Sequence, residues 1–354
     1  MRQYRIKQCC LLMVTLLSLG VVWNHLLQAR PPGNLTGYRI IDLGAAKGAG
    51  FNGARSFYPV AINSRSQVIG YSPSNVGYGK TMLWANGSIV ELRPYPGSHE
   101  PVPTGMNDRG DVVGVVDLDI SGHSTDEPKA GVIWKAGKPF PLAGQPQLKE
   151  TEANAISNRR QVVGFCSYGE KSEGFLWQDG QYSPLKVSGA YDINDHGQIV
   201  GNNVSNGWKR GYLWQNGKSQ DLATLLDLGP CTARHINNRG QILGWSEATG
   251  PFLGTNGHAV SLSPLRGETA TAWAVNDKGQ VVGCSSGRGI NEHAAVLWEA
   301  GRVYNLNDFI PRSSGWTLKR AYAINNLGQI AGTGQLNGSK YSRAFLLMPV
   351  RRAN

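Results

Sequence analysis

Short apolar runs alternate with compact polar clusters along residues 38–349, and one arrangement of the two returns seven times. An apolar pair ends on Asn or a polar equivalent, a polar turn carrying Gly follows, and a β-branched run then ends on a second Gly. The copies begin at Ala61-Ile62-Asn63, Met106-Asn107, Ile156-Ser157, Ile193-Asn194, Ile236-Asn237, Val275-Asn276 and Ile324-Asn325. They close at Gly70, Gly114, Gly164, Gly201, Gly244, Gly283 and Gly332, spaced 44, 50, 37, 43, 39 and 49 residues apart. A period in the low forties is that of a four-stranded propeller blade. The runs before and after each turn predict two strands, since Asn, Asp and Gly supply turn chemistry and Val and Ile favour extended backbone.

A third strand ends in Leu-Trp or Ile-Trp at Trp84, Trp134, Trp177, Trp214 and Trp298, whereas the fifth copy has Leu253-Gly254. Asn86-Gly87, Asp179-Gly180, Asn216-Gly217 and Asn256-Gly257 then predict tight hairpins. A fourth strand ends near Leu92, Leu142, Leu185, Leu222, Leu262 or Leu306. The seventh copy lacks a fourth strand, while Tyr38–Leu43 has fourth-strand character and precedes the first copy. These two facts predict an all-β, seven-bladed β-propeller of four-stranded blades, closed by the N-terminal strand completing the last blade. Closure of this kind leaves no exposed sheet edge. The predicted organisation is a leader at 1–29, a linker at 30–37, one propeller at 38–350 and a tail at 351–354.

The Ile-Asn-x-x-Gly-Gln-Val-Val-Gly core, with its Leu-Trp hairpin, resembles a bacterial extracellular repeat family named for a His-Ala-Phe (HAF) triplet. The resemblance spans residues 38–349. The triplet itself is eroded, His293-Ala294-Ala295 and Arg343-Ala344-Phe345 coming nearest. The resemblance implies export and a β-repeat fold, and it implies no reaction.

The N-terminus agrees with export. Arg2, Arg5 and Lys7 precede an apolar run from Cys9 to Trp23, short for a membrane span and suited to a signal sequence. The expectation is a secreted or cell-surface protein carrying a signal peptide or a retained N-terminal membrane anchor. The 46 glycines of the 354 residues agree with many turns, and the net charge of +11 favours acidic or anionic partners. No dense Lys/Arg run supports nucleic-acid binding. Cys166, Cys231 and Cys284, the cysteines beyond the leader, are too few for a disulfide framework, and Cys166 and Cys284, which follow the repeat Gly, read as small apolar strand residues.

No metal or cofactor is expected: the turn Asn and Asp residues read as caps, with carboxylates only at Asp108, Asp195 and Asp277. Phosphate-loop, dinucleotide, nucleophile-elbow and zinc-protease motifs are absent. Departures from the repeat carry more information. Just before the Ile, Val or Met of the first strand, five copies have Ala or Gly, but the fourth and fifth have Asp192 and His235. That pair is a candidate acid/base couple, or a polar pair that satisfies itself. One residue earlier stand Val60, Thr104, Asn154, Tyr191, Arg234, Trp273 and Tyr322. Asn154, Tyr191, Arg234, Trp273 and Tyr322 form the candidate binding set, a mix suited to a carbohydrate or protein ligand near the axis. The preferred reading is a non-catalytic binding or scaffolding module. The alternative is an extracellular glycan lyase or hydrolase with an axial active site at Asp192 and His235.

Overall fold

The computed structural model describes residues 34–44, 57–72, 79–118, 129–142, 150–168, 171–205, 208–255, 257–265, 269–287 and 293–352. The leader at 1–29 lies outside them. Among the described residues no helix is long and apolar enough to cross a membrane.

The chain forms seven four-stranded antiparallel sheets. Six are built from consecutive strands. The seventh orders three C-terminal strands, Trp316–Ile324, Ile330–Leu336 and Arg343–Arg351, and adds Leu35–Gly44 on the outside. Ile40 pairs with Leu347 and Ile41 with Leu346. The expected closure is therefore present. Its strand begins at Leu35, three residues before the predicted start, and the last strand reaches Arg351. Residues 35–37 and 351 thus belong to the sheet rather than to a linker and a tail, because Leu35 pairs with Arg351 and Gly37 with Val350.

The turn between first and second strands explains the repeated Asn. Asn63 Oδ1 accepts from the backbone N–H of Arg65 and Gln67, and its Nδ2 donates to Gln67 Oε1. The same pattern recurs at Asn194, Asn237, Asn276 and Asn325. One side chain thereby satisfies two turn donors that would otherwise be orphaned.

The repeated terminal Gly has a different cause. In every blade the inner strand bulges, and the residue immediately before the bulge pairs with that Gly: Pro59 with Gly70, Ala153 with Gly164, Ala321 with Gly332. A Cβ on Gly164 would strike the carbonyl oxygen of Glu152, and one on Gly283 that of Thr271. The bulge brings backbone so close that only hydrogen fits.

The hydrophobic core lies between blades. One cluster joins Val113, Ile133 and Leu142 of blade two to Ala153, Ile156, Phe175 and Trp177 of blade three. Repeated Trp residues fill these interfaces as expected: Trp84, Trp134, Trp177 and Trp298 are buried, and Trp134 Nε1 donates to Arg93 O of the preceding blade. Each buried aromatic removes enough area to contribute about 2–3 kcal/mol. Where blade five has Gly254, Leu226 fills the space: a Cβ on Gly254 would meet Leu226 Cδ1 at 2.5 Å. Leu226 follows a one-turn helix, Leu222–Leu225, capped by Asp221, in the connection from blade four. Cys166, Cys231 and Cys284 are free and buried.

Candidate functional site at the propeller axis

Two hydrogen-bonded belts surround the axis at the turn end. In the first, an Asn Nδ2 of one blade donates to a backbone carbonyl of the next: Asn63 to Asn107, Asn107 to Ser157, Asn194 to Asn237, Asn237 to Asn276, Asn276 to Asn325, and Asn325 back to Asn63. Ser157 replaces Asn in blade three, so the step toward Asn194 lacks this donor. In the second belt, a backbone N–H donates to the side-chain oxygen of the following blade: Ser64 to Asp108, Asp108 to Asn158, Asn158 to Asp195, Asp195 to Asn238, Asn238 to Asp277 and Asp277 to Asn326, at 2.7–2.8 Å.

The second belt alternates Asp and Asn. Asn158 Nδ2 reaches Asp195 Oδ2 at 2.9 Å, Asn238 Nδ2 lies between Asp195 and Asp277, and Asn326 Nδ2 reaches Asp277 at 2.6 Å. Interposed amides separate three carboxylates that would otherwise repel. Seven positions cannot alternate perfectly, and the odd one is Ser64, at the seam between blades seven and one. These Asp and Asn side chains were expected to cap their own turns. They bridge to the neighbouring blade instead, and the preceding Asn does the local capping. A depression of about 180 Å³ sits inside the belts, lined by the seven turns.

Three residues up each inner strand, about 10 Å away, is the bulge. The residues singled out from sequence, from Val60 through Tyr322, are the bulged residues of their blades. A bulge re-aims its side chain, here toward the next blade around the ring. Thr104 Oγ1 donates to Ala153 O at 2.6 Å, and Asn154 Nδ2 to Ala190 O at 2.8 Å. Asn154 thus serves as an inter-blade tie, with its amide nitrogen occupied.

The other four differ. Tyr191, Trp273 and Tyr322 are half-buried and Arg234 is exposed. Trp273 and Tyr322 pack together with ring centroids 4.9 Å apart and planes tilted by 44°. None of the four belongs to the hydrophobic clusters between blades. Blades four to seven therefore present aromatic and guanidinium groups at one level of the ring.

Asp192 and His235 do meet, with Nδ1 of His235 3.4 Å from Asp192 Oδ2. The carboxylate is nevertheless committed to backbone. Its Oδ1 accepts from Ile193 N at 2.8 Å and its Oδ2 from Ile236 N at 2.9 Å, tying blade four to blade five. These bonds make the pair a polar joint between the two blades. Sequence reading missed a second pair: Ser286 Oγ lies 2.8 Å from His293 Nδ1 at the opposite end of blade six. Burial, then Arg320 and Lys319, lower the His293 pKa. Only the fold reveals the pairing, through strands that align Ser286 with His293.

Fold and site together define a seven-bladed β-propeller closed by its own N-terminal strand. No protein-family model and no curated protein matches the chain. Among solved structures it is similar to YCF48 bound to D1 peptide, with 11% identity, 92% of this chain and 98% of that chain covered, and a TM-score of 0.52. The β-propeller domain of the Trilobed protease from Pyrococcus furiosus, described as having an open velcro topology, gives 10%, 85%, 99% and 0.52. A puromycin-hydrolysing peptidase of Mycobacterium tuberculosis gives 13% identity and 0.52, with 91% of this chain covering 56% of that one. The chain thus spans about half that enzyme's length. Likeness at these identities shows the fold alone.

Proposed function

We propose that this protein is an exported, non-catalytic binding propeller that engages a protein or carbohydrate ligand through the bulge-level patch of blades four to seven. The observation that carries the reading is the contrast within one structural position. Thr104 and Asn154 spend their side chains on neighbouring carbonyls. Arg234, Trp273, Tyr322 and Tyr191 stand outside the core clusters, and the rings of Trp273 and Tyr322 pack against each other at a tilt. Aromatic faces beside a guanidinium suit a peptide segment or an acidic sugar. Protein binding has company in the fold, since YCF48 was solved with a peptide. Export rests on the leader sequence and on the resemblance to the HAF-repeat family. The reading of Asp192 and His235 as an acid/base couple is disfavoured by the backbone bonds that hold the carboxylate.

The test is the double variant Arg234→Ala/Trp273→Ala against wild type on peptide and glycan arrays. Loss of the wild-type signal at an unchanged melting temperature supports the axial patch. Undiminished binding by the double variant rejects it. Turnover of a polysaccharide that disappears in His235→Ala would replace this reading with the enzymatic one.

A further inference from the structure

The Ser286–His293 pair stands at the mouth of the groove between blades six and seven. Ser286 ends the second strand of blade six, His293 opens the third, and the two lie opposite each other in the ladder. Both are half-buried. Cys284 and Ala295 form the next pair on the same face, one pleat deeper and buried. This face packs on the first strand of blade seven, since Ala295 shares a buried cluster with Leu318 and Ala321. Lys319 and Arg320 lie between those two residues on the opposite wall.

Blades two and three show what these positions do across a groove. Counted from the repeat Gly, Asp117 and Lys129 of blade two correspond to Ser286 and His293. Glu152 of blade three corresponds to Arg320, each pairing with the residue after its own repeat Gly. There Lys129 Nζ and Glu152 Oε1 meet at 3.6 Å. The third-strand residue of one blade and the first-strand residue of the next therefore face each other within reach of an ion pair. Between blades six and seven both acids of that arrangement are gone: a hydroxyl stands in place of Asp117 and a guanidinium in place of Glu152.

The charge left there is positive. Burial, then Arg320 and Lys319, lower the His293 pKa. Burial raises that of Cys284, with the hydrogen bond to Ser286 and then Arg320 opposing the rise. Arg320 is thus felt at two successive levels of the facing wall, which puts its guanidinium in the groove. Among the described residues no carboxylate pairs with Arg320, and none shifts His293 or Cys284. Two cations side by side repel unless an anion joins them. A lowered pKa keeps His293 neutral at pH 7, so that Nδ1–H donating to Ser286 Oγ leaves the hydroxyl proton for a ligand.

We infer that the mouth of this groove is an oxyanion site, which takes a sulfate or phosphate group between the Arg320 guanidinium and the Ser286 hydroxyl. A guanidinium matches two oxygens of such a group. The hydroxyl meets a third from the opposite wall, an oxygen that a tetrahedral group has and a planar carboxylate lacks. His293 positions the hydroxyl, and Lys319 adds charge. Arg320 lies two residues up the inner strand from Tyr322, so the site is distinct from the axial patch and does not rest on it. No covalent step is involved.

The test titrates the full chain with sodium sulfate against chloride at constant ionic strength, following the His293 ring signals by NMR. Sulfate stays fully ionised throughout a histidine titration. A saturable shift is expected, together with a His293 pKa higher in sulfate than in chloride, because the bound anion offsets Arg320 and Lys319. Phenyl sulfate distinguishes the source of the group: binding like that of sulfate means that an ester is accepted, and its failure beside sulfate binding means that the free ion is the ligand, the site standing in both cases. Arg320→Gln is expected to weaken sulfate about tenfold, the loss of one charge-assisted hydrogen bond. Ser286→Asp restores the acid of blade two and is expected to abolish binding while the melting temperature holds or rises. No saturable shift in the wild type, an equal His293 pKa in both salts, or binding unaltered in both variants overturns the proposal. Should Arg320→Gln fail to fold, Ser286→Asp decides alone.

Discussion

Asn325 donates its side-chain amide to the backbone carbonyl of Asn63, 2.8 Å away across the seam of the ring and 262 residues distant in the chain. It is the same bond that five other blade junctions make between residues 39 to 50 apart. The blade seven to blade one junction thus carries the same bond as the others, while the ring is closed non-covalently inside blade seven, where the first strand pairs with the last. At the seam, the side chains of Ser66 and Gln329 add a bond of 2.8–2.9 Å where the Asp/Asn belt has its odd member.

Asn325→Ala removes that bond and the two turn caps on Leu327 and Gln329. The cost is expected to be about 3 kcal/mol, the sum of a lost bond and buried donors left without acceptors. Urea denaturation followed by tryptophan fluorescence checks it, and a cost under about 0.5 kcal/mol contradicts the account.

Ser157→Asn supplies the missing donor of the first belt, toward the Asn194 carbonyl. A stabilisation of about 1 kcal/mol is expected, the net worth of one hydrogen bond. The same denaturation experiment reads it, and a destabilised variant would show that blade three lacks room for the amide.

Asn238→Asp places a third carboxylate between Asp195 and Asp277 and deletes the donor that separates them. Repulsion raises the carboxyl pKa values of the folded variant above their unfolded values, so the folded state binds more protons and stability rises as pH falls. The variant's deficit against wild type is expected to be largest near pH 7 and to shrink toward pH 4. A deficit independent of pH would mean that the lost amide donor, not charge, is responsible.

Gly254→Trp restores the repeat consensus and is expected to destabilise by about 2 kcal/mol, because Leu226 already occupies the site. Gly254→Trp with Leu226→Ala is expected to recover most of that loss. Additive costs in the double variant would show that the two side chains do not share one space.

The three cysteines offer a check on burial. Burial raises the pKa of each thiol, that of Cys231 to about 11, with Asp221 adding to the rise and Arg210 opposing it. At pH 8 all three remain protonated, and iodoacetamide is expected to leave them unmodified in the native protein and label them in urea, as read by peptide mass spectrometry. Labelling of Cys166, Cys231 or Cys284 without urea would contradict the packing.

Much of this was legible in the chain. The seven glycines, the Asn turns, the Trp residues and the incomplete last copy were enough for blade number, strand order and closure, since each recurs once per blade or marks where one blade is unfinished. Tyr191, Arg234, Trp273 and Tyr322 were legible as a set because they break a repeat. Misread were the second Asp and Asn of each turn, taken for local caps when they bridge to the neighbouring blade.

The sequence alone determined what repeats: local turn chemistry, strand alternation and the half-blades at the two ends, all set by interactions over a few residues. The tertiary structure decided what each side chain meets across a blade boundary. Partners there lie some 37 to 50 residues away, or 262 at the seam. The turn side chains make these bonds at one end of the inner strands and bulged residues such as Thr104 and Asn154 make others, and periodicity does not encode which neighbour each will meet.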